Sequence, residues 1–252
     1  MKQIKITALI ISLGLILPAF AQNPTIYVID KAGKRINGSK IEQIKDTQFK
    51  LTLPGTGGAS RTFRKGSYVK VVTPAPKGYA ALEKAYKSKN WSTVISNGPK
   101  LLSGNELLGW GGRISYYIGA AQYYTGKFKE AKATFEKGYM LAFQEGHGLE
   151  IRHVGMYLAS ARKLGENTDA FLEKLPESPS FAPFKNVLAG NKFQQQGKIE
   201  DAVLSYMRVI TLPRSEVGDA RRDALEGIVK TLESKGDNRA KEFKAILNSE
   251  YK

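Results

Sequence analysis

Tyr116–Leu141 reads YYIGAAQYYTGKFKEAKATFEKGYML. Two apolar patterns with helical spacing flank a tight Thr125-Gly126-Lys127 turn. Small residues (Gly119, Ala120, Ala131 and Gly138) fall where two helices joined by so short a turn must approach closely. Ile118, Tyr123, Phe128 and Phe135 fall where the gap between them must be filled. Glycine at a helix end admits positive φ, and a missing side chain at a crossing lets two backbones meet. The stretch predicts an antiparallel helical hairpin.

The pattern recurs. Gly126 is followed by Phe128, Ala131 and Phe135, and Gly197 by Ile199, Ala202 and Tyr206, at the same offsets of 2, 5 and 9. Seven residues before each turn glycine stands another, Gly119 and Gly190. Fainter copies place turns at Lys89, Gly165 and Gly236, so that successive turns are 37, 39, 32 and 39 residues apart. Over residues 78–250 these units resemble the tetratricopeptide repeat, a two-helix unit of about 34 residues that stacks into a solenoid. The resemblance implies ten antiparallel helices in five hairpins, curved with right-handed superhelical sense. It also implies a protein that holds partners and performs no chemistry. An ordinary bundle of amphipathic helices is the alternative.

The N-terminus has a different character. Lys2 and Lys5 precede a 12-residue apolar run, Ile6–Leu17, closed by Pro18 and by Ala19-Phe20-Ala21. That is the layout of a cleavable export signal over residues 1–21. The run falls short of the ~20 apolar residues of a membrane span. Cleavage would leave Gln22 first; no cysteine stands there to carry a lipid. The expected product is exported and periplasmic. The chain has no cysteine, which removes disulfides, thiolate catalysis and cysteine metal sites.

Residues 22–73 predict a small β domain. Thr25–Ile29 is β-branched and aromatic, Gln48–Leu53 alternates strictly, and Pro54–Gly58 is a hairpin loop. Arg61–Arg64 and Tyr68–Val72 supply the last of about five short strands. The texture resembles a small SH3-like barrel, with an OB-type barrel as second choice. Residues 74–78 read as a short stiff linker, and 79–252 as the helical part. The predicted class is thus mainly α, an α-solenoid preceded by a small all-β barrel.

Charge is uneven. The chain carries a formal +16, yet residues 22–77 hold 11 basic residues against 3 acidic ones. Arg61, Arg64, Lys65 and Lys70 form a candidate basic patch for anionic cell-wall or lipid groups; the plainer reading is solvated strand faces that block edge pairing. An exported chain does not meet nucleic acid.

Sites for chemistry are lacking. His147 and His153 are six apart, a spacing unsuited to a helical metal pair, and no phosphate loop or nucleophile elbow is present. Trp110-Gly111-Gly112-Arg113 reads as a turn. Neither enzyme nor cofactor is expected. The repeat resemblance instead implies a concave groove lined by the first helix of each unit. The first unit presents Tyr79, Glu83 and Tyr86, the second Arg113, Tyr116 and Tyr123, the third Arg152 and Arg162, and the fourth Asn191. Tyrosines supply rigid contact area with a polar tip, arginines bidentate donors for carboxylates, and Asn191 an amide for a peptide backbone. The expected function is an adaptor holding an acidic segment of another envelope protein. The alternative is polyanion binding by the β domain.

Overall fold

The computed structural model describes residues 26–146, 148–213 and 219–251. The expected export signal with its cleavage site, and His147, lie outside them. The chain is mainly helical, with two small antiparallel sheets at its N-terminal end. Among the described residues the helices are α1 (Tyr79–Lys87), α2 (Trp91–Ser103), α3 (Gly111–Tyr124), α4 (Phe128–Glu145), α5 (Leu149–Leu164), α6 (Asp169–Glu173), α7 (Ala182–Gln195), α8 (Ile199–Ile210), α9 (Ala220–Glu233) and α10 (Arg239–Glu250). None of them is long and apolar enough to cross a membrane.

All five expected turn positions have positive φ: Lys89 57°, Gly126 79°, Gly165 68°, Gly197 74° and Gly236 66°. The early glycines mark close crossings. A Cβ on Gly119 would lie 2.7 Å from the Phe135 ring, and one on Gly190 2.4 Å from the Tyr206 ring. Ala131, Phe135 and Tyr206 are fully buried in one core that runs from α3 to the start of α10. A second core joins α1, α2 and α3 through Leu82, Val94, Ile114 and Ile118. The third pair departs from the others. Its second helix, α6, has five residues, and Phe171 stacks on Tyr157 of α5 at 3.7 Å. Leu175-Pro176 then ends it, because proline cannot continue a helix.

The expected turn at Trp110–Arg113 is corrected. Gly111 and Gly112 are the first buried turn of α3. A Cβ on Gly112 would lie 2.5 Å from the Ala142 backbone, so glycine here serves helix contact and not chain reversal. The irregular turn comes just before, at Glu106–Trp110, where Gly109 has φ 81°.

Among the described residues the β unit has six strands: β1 (Ile26–Asp30), β2 (Arg35–Gly38), β3 (Lys40–Lys45), β4 (Gln48–Thr52), β5 (Ser60–Arg64) and β6 (Tyr68–Val72). They form two three-stranded sheets, β2-β1-β6 and β3-β4-β5. Alternation in β4 buries Phe49 and Leu51, and Phe49 stacks on its register partner Phe63 at 5.2 Å. The additional strand arises where the chain leaves one sheet for the other between Gly38 and Lys40. The helical part completes this core: Leu107 and Leu108, from the turn before α3, pack among Val28, Phe49, Phe63 and Val71. Polar brackets hold the seam. Gln43 Nε2 donates to the Ser103 carbonyl at 2.8 Å, and its Oε1 accepts from Leu107 N–H at 3.0 Å. Thr73, just before the expected linker, donates to the Leu108 carbonyl and accepts from the Trp110 indole at 3.1 Å.

Candidate functional site: an aromatic cleft with two arginines

Helices α1, α3 and α5 enclose a cleft of about 300 Å³ lined by Tyr79, Glu83, Tyr86, Arg113, Tyr116, Tyr117, Leu149 and Arg152. Six of the nine groove residues read from the sequence meet here: Tyr79, Glu83, Tyr86, Arg113, Tyr116 and Arg152. Tyr117 and Leu149 add to them. Tyr117 lies off the inner-face spacing, but its ring stacks on Tyr86 at 4.3 Å, so only packing reveals it. The Tyr79 and Tyr117 hydroxyls lie 3.0 Å apart, and Tyr79 leans on the Trp110 ring at 4.6 Å. Burial pushes the Tyr116 and Tyr117 phenols far above their usual range, so both remain O–H groups. Arg113 lies over Trp110 at 5.1 Å. Among the described residues neither Arg113 nor Arg152 forms an ion pair.

The other three candidates lie elsewhere. Tyr123 packs edge-on against Phe128 at 5.3 Å, at the α3–α4 turn. Arg162 is already neutralised: it pairs with Asp223 and, at 3.6 Å, with Glu226. The Asn191 amide donates to Asp169 at 2.8 Å and accepts from the Tyr206 hydroxyl at 2.9 Å, so both its ends are engaged. Nor is the expected groove continuous. A Cβ on Gly155 would lie 2.5 Å from the Asp219 carboxylate. That approach and the Arg162–Asp223 pair bring α9 against the inner face of α5. Beyond this block lies a separate polar cleft of about 310 Å³ that includes Asp169, Asn191, Asp223 and Lys230.

The basic candidates of the β unit do not form one patch. Arg61 and Arg64 are three apart on β5, so their side chains leave opposite faces of the strand. Arg61 covers the Phe63 ring at 4.8 Å. Lys65 pairs with Glu106 at 3.3 Å across the seam, and Lys70 lines the seam beside Glu145.

One serine–histidine contact is buried between α3 and α5. His153 is fully buried, its Nε2 3.1 Å from Ser115 Oγ and its Nδ1 2.9 Å from the Leu149 carbonyl oxygen. No family model matches the chain, and neither curated proteins nor solved structures provide a match.

Proposed function

We propose that this chain is an exported, non-catalytic adaptor of the bacterial cell envelope. In this reading its helical hairpins are tetratricopeptide-type repeats, its β unit is an SH3-like barrel, and the Tyr79–Arg152 cleft holds an acidic segment of a partner protein. One observation carries the proposal. Arg113 and Arg152 stand without ion-pair partners in a tyrosine-lined cleft, whereas Arg162, on the same predicted face, is neutralised from within. Two guanidiniums outside any ion pair, beside buried aromatic surface, offer a carboxylate charge-assisted hydrogen bonds and apolar contact together. The polyanion alternative has less behind it, because Lys65 is paired and Lys70 sits in the seam.

The test is binding of acidic peptides to protein purified from the exported fraction, where the mature chain is expected to begin at Gln22. Arg113→Ala and Arg152→Ala should each weaken binding about 10- to 100-fold, since hydrogen bonds to charged groups contribute ~1.5–3 kcal/mol. Arg61→Ala and Arg64→Ala should leave it unchanged. The reverse result, with steep loss on adding salt, would move the site to the β unit.

A further inference from the structure

Glu83 lines the same cleft as Arg113 and Arg152 and carries the opposite charge. On the α1 side, the Tyr117 hydroxyl donates to Glu83 Oε1 at 3.4 Å. The Tyr79 hydroxyl lies 3.0 Å from that of Tyr117, so Glu83 terminates a short chain of hydroxyls. On the α5 side, burial raises the Tyr86 and Tyr116 phenols while the charge of Arg152 pulls both back down. The cleft thus carries both signs of charge, with Glu83 at the Tyr117 hydroxyl and Arg152 beside Tyr86 and Tyr116.

Lys87 pairs with Glu83 at 3.1 Å, but from outside the cleft and with its side chain 70% exposed. An exposed i,i+4 pair is weak, too weak to withhold Glu83 from a ligand. Distance decides the rest. A cleft of about 300 Å³ is roughly 7 Å across, within the ~8 Å Debye length at physiological salt. An anion seated at the arginines therefore feels Glu83 as well. A purely acidic ligand is attracted by the arginines and repelled by Glu83. A ligand that carries a cation to Glu83 gains at both.

Building on the acidic-segment reading of this cleft, we propose that Glu83 is a specificity residue and that the cleft selects dipolar segments. In such a segment a carboxylate on Arg113 and Arg152 is accompanied, a few residues away, by a lysine ammonium on Glu83.

The experiment uses the full mature chain and blocked, fluorescein-labelled hexapeptides, with binding read by anisotropy at physiological salt. The probes carry one glutamate, one lysine, or a glutamate and a lysine separated by one, two or three positions. At one of these separations the dipolar peptide should bind about three- to tenfold tighter than the glutamate-only peptide. Glu83→Gln should erase the difference by weakening the dipolar peptide, leaving the glutamate-only peptide unchanged or tighter. Equal affinity of all glutamate peptides for the native chain overturns the inference, and so does a preference that survives Glu83→Gln. Either result leaves the acidic-segment reading standing. A lysine-only peptide as tight as the best dipolar one also overturns it. Failure of every glutamate peptide to bind, or binding indifferent to Arg152→Ala, removes both proposals together.

Discussion

Glu145 ends α4 with its side chain buried at the seam with the β unit. Its Oε1 accepts from Gly112 N–H at 2.7 Å, while its Oε2 has no partner among the described residues. Burial pushes this carboxyl up from 4.5 to about 7, against the pull of the Gly112 amide and of Arg113. The folded chain therefore holds a proton that the unfolded chain releases. Its contribution is full below about pH 4.5 and is lost as pH rises through 7. His153 works in the opposite direction. Burial holds its imidazole down at about 4, so its contribution is full above 6.5 and is lost as pH falls through 4. Glu145→Gln keeps an acceptor for Gly112 and removes the ionisation. The variant should gain on the native protein between pH 5 and pH 8, by on the order of 1–3 kcal/mol at the upper end. Urea denaturation at both pH values measures this; a difference that stays constant would show that Glu145 does not titrate across the range.

At the scale of the helix, two kinds of glycine carry the hairpins, and they fail differently. Gly119 is limited by packing, with Phe135 2.7 Å from any added Cβ. Gly126 is limited by its backbone: nothing lies within 4 Å of an added Cβ, but φ is 79°. Gly119→Leu or Ala131→Leu should overpack the α3–α4 crossing at a cost of about 1–3 kcal/mol. Gly126→Ala should cost about 1–2 kcal/mol through left-handed strain alone. Chemical denaturation tests both, and leucine variants as stable as the native chain would contradict this crossing. These positions were legible in the sequence because turn chemistry and close approach are local demands. The Glu106–Trp110 turn was not, because its Leu107 and Leu108 look like ordinary helix residues until the β unit covers them.

For the molecule as a whole, that cover makes the two parts interdependent. The β core is closed by leucines that lie more than 30 residues downstream of β6, and Gln43 and Thr73 tie the seam. Residues 22–77 expressed alone should therefore show no cooperative melting, whereas the full chain should unfold with the β unit and the first helices together. Leu107→Ala should destabilise that shared transition by about 2–5 kcal/mol, the range for a buried leucine that leaves a cavity. An isolated β fragment that melts cooperatively would show that its strands suffice.

The sequence by itself determined the helical hairpins, their five turn positions and the alternation that buries Phe49 and Leu51. Each follows from φ preferences and residue spacing within a few turns of chain. It also placed Tyr79, Tyr86, Arg113, Tyr116 and Arg152 on faces that meet. Only the tertiary structure decided which arginines stay available. Arg152 and Arg162 occupy the same predicted face of α5, yet Asp223 comes from α9, 61 residues beyond Arg162, to neutralise only the second. Periodicity assigns a side chain to a face. Whether its charge is compensated depends on residues distant in sequence, which folding alone brings near.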